Sequence, residues 1–147
     1  MKKIVPPYYH VALLQDRVYR KLRDVLSYQV GQFDINLSEW AILGQLYAKK
    51  TLITTELAFL LAVEAPYITR MLKLLDKKGL VEQGEDTEDK RSHSISLTAK
   101  GKQLVEQLEK QLAPLAKNLL KTLSPRLALS YMKALETLDT VTFVPEN

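Results

Sequence analysis

Three cations between Pro66 and Lys77 are spaced so that they fall on one face of a helix. Arg70 and Lys73 follow Pro66 by four and seven residues, and Lys77 follows by eleven, which forms a single stripe at about 100° per residue. On such a stripe an arginine can read guanine in the major groove of DNA, and lysines can neutralise phosphates. The stripe is also typical of a solvated basic face on an ordinary amphipathic helix, so the helix alone leaves both interpretations open.

A second group lies in the polar segment 84–92, which contains Asp89 and, two residues later, Arg91. An arginine at the tip of a hairpin can enter the minor groove, whose narrow walls concentrate negative potential. The carboxylate two residues away can fix the pose of the guanidinium through a charge-assisted hydrogen bond. The alternative is a charged turn that only keeps the hairpin soluble. Segment 82–91 holds five acids against two bases, which weakens its non-specific attraction to phosphates.

The chain offers little for catalysis or metal binding. It has no cysteine, and its two histidines, His10 and His93, are far apart in sequence, so no disulfide, thiol nucleophile or recognisable zinc site is expected. We find no nucleophile elbow and no phosphate-binding glycine loop. The sequence therefore predicts no enzyme, no catalytic residue, no metal and no cofactor. His93 can contact phosphate or titrate near neutral pH, although an exposed strand residue is the simpler interpretation.

Several aromatic residues and one arginine can together line a ligand pocket. Aromatic walls with one cation suit a small aromatic or anionic molecule. Aromatic residues at helical spacing more commonly form core and dimer packing, so both interpretations stay open. The residues of this candidate ligand site are Arg17, Tyr19, Tyr28, Trp40 and Tyr47.

Hydrophobic spacing predicts the elements that position these groups. Helices are predicted over 8–30, from 37, over 54–61 and 66–78, from 98, and over 125–140, with strands over 80–83 and 93–97. The predicted N-caps are Ser38, Thr98 and Ser124, and Gly79 is the predicted left-handed C-cap. Pro114 is predicted to kink or split the long helix after Thr98.

Composition bounds the class of protein. The chain has 147 residues, with 46% hydrophobic and 26% charged positions and a net charge of +4, which is typical of one globular domain. No apolar run reaches the roughly twenty residues of a membrane span. Two prolines, Pro6 and Pro7, precede any apolar run, so we expect no secretory signal, no membrane partner and a cytoplasmic protein.

These elements predict a mainly α fold with a small β-hairpin wing. Residues 37–97 form a winged helix-turn-helix unit within a single domain, 1–147. The flanking segments 1–36 and 98–147 carry apolar stripes that this unit cannot cover fully. They are predicted to be dimerisation helices, and a symmetric homodimer is the commonest way to bury such stripes.

The chain resembles the MarR family (multiple antibiotic resistance regulators) over about residues 37–104. The resemblance implies a dimeric winged-helix DNA-binding protein, usually a repressor, that a small and frequently aromatic anionic ligand releases. It places Pro66, Tyr67, Thr69, Arg70 and Lys73 in the major groove and Arg91 in the minor groove, with Asp89 orienting Arg91. The motifs that carry the resemblance are Glu56-Leu57-Ala58, Ile68-Thr69-Arg70, Leu75-Asp76-Lys77-Lys78-Gly79-Leu80-Val81-Glu82, Asp86-x-x-Asp89-x-Arg91 and Leu97-Thr98-x-x-Gly101.

Some positions depart from the family pattern. Ile53 stands where a capping Thr or Ser is usual, so Thr54 is expected to cap the third helix instead. Phe59 and Leu60 replace polar residues, and Gln83 replaces a frequent arginine. The function predicted is a homodimeric regulator on a near-palindromic operator of double-stranded DNA. The alternatives are a winged-helix module that binds another protein, and a ligand-binding protein without DNA activity.

Overall fold

The computed structural model describes residues 7–85 and 93–141. Six helices and a small antiparallel sheet make up this part of the chain, so the prediction of a mainly α fold with a small β element is confirmed. The elements are α1 (Tyr8–Gly31), α2 (Leu37–Lys49), β1 (Thr51–Leu52), α3 (Thr54–Leu60), α4 (Ala65–Lys77), β2 (Val81–Glu85), β3 (His93–Leu97), α5 (Ala99–Thr122) and α6 (Pro125–Asp139).

The sheet has the order β1-β3-β2, with both pairings antiparallel. In β2–β3, Val81 lies opposite Leu97 and Glu85 lies opposite His93. The hairpin was predicted from alternation, and β2 extends two residues beyond its predicted end. The sequence analysis missed β1, because two residues are too few to show an alternating pattern.

One hydrophobic core fills the unit formed by residues 1–108. The predicted apolar face of α4 is confirmed, since Ile68, Met71, Leu72 and Leu75 are all buried. The core places α4 against α2, α3 and the sheet, which fixes which face of α4 is left exposed. The other fully buried large side chains are Ile42, Leu43, Leu46, Leu57, Ile95 and Leu108.

Two predicted N-caps are wrong. The N-cap of α2 is Asn36, whose side-chain oxygen accepts the Glu39 N–H at 2.9 Å while the Glu39 carboxylate accepts the Asn36 N–H at 2.8 Å. Ser38 is already inside the helix, where its backbone cannot take the extended conformation of a cap. Thr54 is likewise the first helical residue of α3, and the N-cap is Ile53.

Thr98 caps α5 as predicted, and Gly79 takes the predicted left-handed conformation directly after Lys78, which is the C-cap residue of α4. The Thr98 hydroxyl accepts the Gly101 N–H at 3.0 Å and donates to the Gly79 carbonyl at 2.7 Å. Gly79 has φ of 69°, a left-handed conformation that favours glycine. A Cβ at Gly101 would overlap the Leu80 carbonyl oxygen. The motif Leu97-Thr98-x-x-Gly101 therefore seats the start of α5 directly on the segment that ends α4.

Residues 109–147 form a second compact unit. Ser124 caps α6 as predicted, with its hydroxyl accepting the Leu127 N–H at 3.3 Å. The helix α5 is continuous through Pro114, so the predicted split is wrong and a kink stays a prediction. None of the helices described over 7–85 and 93–141 combines the length and the apolar character that crossing a bilayer requires.

Candidate nucleic-acid interface

The helices α3 and α4 and the turn between them form the helix-turn-helix predicted from the sequence. Leu57 and Ala58 anchor α3 in the core. The turn places Ala62 at φ of 51°, which is a strained conformation for a residue with a Cβ. Pro66 lies in the first turn of α4, where its missing N–H removes no helical hydrogen bond.

The outer face of α4 carries the predicted stripe in full. Pro66, Arg70, Lys73 and Lys77 are all exposed, and so is Thr69 beside them. Because the opposite face is buried, this stripe is held in a fixed orientation toward the outside of the unit. The spacing argument from the sequence therefore gives the correct face of the helix.

Tyr67 is the one residue of the predicted α4 set that is half-buried. Its hydroxyl donates to the Ser38 hydroxyl oxygen at 2.6 Å, which ties the first turn of α4 to α2. The Arg70 guanidinium carbon lies 5.3 Å from the centroid of the Tyr67 ring, a cation–π distance. Without DNA, the Tyr67 ring therefore supports the Arg70 side chain. A contact between Tyr67 and DNA stays a prediction.

The end of α4 is held by a charged cluster that the sequence analysis missed. The Lys78 ammonium donates to the two Glu39 carboxylate oxygens at 2.9 and 3.1 Å and to the Asp34 carbonyl at 2.6 Å. Glu39 is 1% exposed, and a buried carboxylate needs such a partner. Lys100 in turn donates to the Lys78 carbonyl at 2.7 Å. No spacing signal links these residues, because they come from three different elements.

A crevice beside the stripe joins residues that the sequence analysis treated separately. It lies between α3, α4 and the sheet and has a volume of about 320 Å³. Its polar lining residues are Thr54, Thr55, Thr69, Lys73, Gln83 and His93. The sequence analysis named Thr69 and Lys73 for DNA contact and His93 as able to contact phosphate, and only the tertiary structure brings them together with Thr54, Thr55 and Gln83.

The predicted minor-groove pair, Asp89 and Arg91, lies outside the described residues. The two strands that lead to it are described, and their register brings Glu85 and His93 opposite each other. The role of Asp89 and Arg91 stays a prediction.

The candidate ligand residues occupy different surroundings. Arg17, Tyr19 and Tyr28 are exposed on α1, whereas Trp40 packs against the core. The Tyr47 hydroxyl donates to Glu106 at 3.3 Å, and Tyr47 borders a pocket of about 540 Å³ that none of the other four residues lines. This pocket therefore does not bring the predicted set together, and the ligand site stays a prediction.

Comparisons with known proteins show similarity to the MarR family over part of the chain. The sequence profile of the MarR family matches residues 35–93. The crystal structure of a mutant MarR from Escherichia coli complexed with operator DNA has a TM-score of 0.80 and 26% identity, and the match covers 87% of this chain and 92% of that chain. The Staphylococcus aureus MepR–DNA complex has a TM-score of 0.75 and 27% identity, with coverage of 86% and 93%.

A curated relative is similar over a shorter stretch. PrsX, an HTH-type transcriptional regulator of Escherichia coli, is 30% identical over 94 residues, which are 63% of this chain. This chain spans 57% of the length of PrsX. The similarity to MarR and MepR covers most of all three chains. The residues matched by the family profile include the helix-turn-helix described above.

Proposed function

We propose that this chain is a MarR-family transcriptional regulator and that it binds double-stranded DNA by placing α4 in the major groove. The observation that carries the proposal is the geometry of α4, which exposes Arg70, Lys73 and Lys77 on one face while the core holds the other. An arginine held in this way can make a bidentate contact with guanine, and the lysines can bind phosphates. The similarity to MarR and MepR, which were solved in complex with DNA, supports DNA binding.

We infer that the active form is a homodimer, because the helices outside the winged-helix unit leave large apolar side chains uncovered. On α1, Leu14 and Val18 are each 45% exposed, and on α6, Leu127 and Leu135 are 54% and 46% exposed. Apolar stripes of this kind on two terminal helices are typical of a subunit interface. A symmetric dimer would place its two recognition helices about 34 Å apart, which suits a near-palindromic operator.

We further propose repression that a small aromatic or anionic effector relieves, acting in the cytoplasm. The exposed cation and aromatic rings on α1 support this, since Arg17, Tyr19 and Tyr28 are available to a ligand or to a partner subunit. Such a ligand releases DNA only if it binds more tightly to a dimer geometry that separates the recognition helices differently. Isothermal titration with aromatic acids, with and without operator DNA, measures that difference directly.

Selection of bound duplexes from a random pool tests the DNA-binding proposal. We expect an inverted repeat with half-sites about one helical turn apart, and binding that falls steeply as the salt concentration rises. The variant Arg70→Ala should lower affinity for the selected site by about 1–3 kcal/mol and relax the base preference. Enrichment of no sequence, together with no binding in dilute buffer, would overturn the proposal.

A matched pair of double variants separates the effect of the α4 stripe on DNA binding from the effect of the net charge of the protein. The double variant Arg70→Ala, Lys73→Ala removes two cations from α4, and Lys49→Ala, Lys110→Ala removes two exposed cations elsewhere. The first should lose most of its operator binding, whereas the second should keep it. Equal losses would show that net charge, rather than the face of α4, governs binding.

A second function has one specific observation in its favour. Phe59 is 85% exposed and Leu60, the next residue of α3, is 40% exposed, and exposed large apolar side chains suit a contact with another protein. Such a contact should be nearly independent of salt, unlike DNA binding. If Phe59→Ser abolishes operator regulation while DNA affinity is unchanged, the protein-interaction function gains support over the first.

A further inference from the structure

The crevice of about 320 Å³ between α3, α4 and the sheet has an unusual chemical lining. Its floor contains Leu72 and Ile95, which are 3% and 1% exposed. Among the residues that the structure describes, its polar groups are three threonine hydroxyls, one amide, one ammonium group and one imidazole, and none of these residues carries a carboxylate. Hydroxyls, an amide N–H and cations all donate hydrogen bonds. The crevice is therefore suited to an anion.

The crevice opens on the same face as the cationic stripe, because Thr69 and Lys73 belong to both. A DNA strand that passes α4 would bring its phosphates to this edge. Without DNA, the Thr69 hydroxyl donates its proton to the Ala65 carbonyl at 3.1 Å. The Thr69 proton is therefore engaged, whereas the Thr69 oxygen can still accept a hydrogen bond. Lys73 is then the cation of α4 that is placed to meet a phosphate there.

His93, at the first position of β3, lines the same crevice as Lys73. Histidine is the side chain whose ordinary range of titration falls between about pH 5 and 8. Its charge therefore decides whether the crevice presents one cation or two. A second cation adds an ion pair with phosphate and releases a further counterion from the DNA.

The neighbouring charges come from each element that packs around His93. On α4 the charge is Lys73, and on α3 the nearest acid is Glu56, whose carboxylate accepts the Ile53 N–H at 2.9 Å. On β2, Glu82 accepts a hydrogen bond from the Ser96 hydroxyl at 3.4 Å, and Glu85 is the register partner of His93.

We propose that Lys73 and His93 hold one backbone phosphate of DNA between them in this crevice, and that protonation of His93 strengthens DNA binding. The inference rests on the proposed function, since the ligand is the DNA backbone. It adds a phosphate contact from the sheet to those of α4. It also makes the affinity for DNA rise as the pH falls toward 6.

The test measures binding to a fluorescein-labelled duplex of about 30 base pairs, which is long enough for two half-sites. Fluorescence anisotropy is recorded at about pH 6 and about pH 8, at several salt concentrations and at matched ionic strength. We expect the slope of log K against log salt to steepen by about 0.9 per bound copy at the lower pH. At about 0.15 M salt this corresponds to roughly fivefold tighter binding per copy.

Variants of His93 test whether this residue causes the pH dependence of DNA binding. His93→Gln should bind at both pH values as the wild type does at the higher one, and His93→Lys should bind tightly at both. His10→Gln, which changes the other histidine, should keep the full pH dependence. Thermal unfolding of each variant verifies that the fold is intact.

The outcomes separate this inference from the proposed function. A wild type that binds DNA with the same affinity and salt slope at both pH values would overturn the inference and leave the function standing. So would a His93→Gln variant that retains the pH dependence. A wild type that binds no duplex at either pH in dilute buffer would overturn both.

Discussion

The two ends of α4 are held in place by different kinds of interaction. At the C-terminal end, Lys78 makes a charged cluster with the buried Glu39, and the segment Gly79–Leu80 accepts two hydrogen bonds from Thr98. At the N-terminal end, the Tyr67 hydroxyl bond to Ser38 is the main polar tie, and the preceding turn contains Ala62 at a positive φ. Arg70, the proposed base-reading residue, lies near the N-terminal end, so the polar interactions that hold α4 are concentrated away from the part proposed for base recognition.

This difference predicts that substitutions at the C-terminal end cost more stability than those at the N-terminal end. The largest effect is expected for Gly101→Ala, because the added Cβ would overlap the Leu80 carbonyl oxygen, which belongs to the rigid backbone. We expect a loss of about 3 kcal/mol in the free energy of unfolding, measured by urea denaturation. The control is Gly44→Ala, which has open space around it and should be neutral or stabilising by up to about 1 kcal/mol.

The next effect is expected for Lys78→Met, which leaves the Glu39 carboxylate buried without its cation. We expect a loss of about 2 kcal/mol, below the roughly 3–5 kcal/mol of a fully buried pair, because the Lys78 side chain is 30% exposed. Lys77→Met is the matched control, since Lys77 is exposed on the outer face. Equal unfolding midpoints for the two variants would contradict the structural role of the cluster.

A smaller effect is expected at the N-terminal end for Tyr67→Phe. The change removes one half-buried hydroxyl bond and keeps the ring under Arg70, so we expect a loss of about 1 kcal/mol. Tyr47→Phe is the control, because its bond to Glu106 is exposed and 3.3 Å long. Operator affinity measured on the same samples shows whether Ser38 helps to position Arg70; an unchanged affinity with lower stability would limit Tyr67 to folding.

The smallest effect is expected for Ala62→Gly, and it is the one expected to stabilise. Glycine adopts φ near 51° without the clash that a Cβ introduces, which offsets its larger entropy loss on folding. We expect a gain of about 0.5 kcal/mol by thermal unfolding. Ala116→Gly, on the exposed side of α5, should lose about 1 kcal/mol instead. A loss at position 62 of the same size would show that the turn is not strained.

Sequence reasoning was most successful where a signal repeats at a regular interval. The faces of α4 followed from the spacing of Pro66, Arg70, Lys73 and Lys77, and the hairpin followed from alternation in 93–97. It failed where a single local choice decides, as at Ser38, because Asn36 and Ser38 both suit a cap and only the backbone conformation selects between them. It also missed β1, which is too short to carry any periodic pattern.

In the candidate site, too, regular spacing predicted some features, and only the tertiary structure fixed the others. The order of residues along the chain determined by itself which side chains share the outer face of α4, because a helix converts spacing into a face through its fixed geometry. Tertiary structure alone decided that Glu39 pairs with Lys78, that Ser38 binds Tyr67, and that His93 lines the same crevice as Lys73. These pairs join residues that are far apart in the chain, and only packing of the whole core brings such residues together.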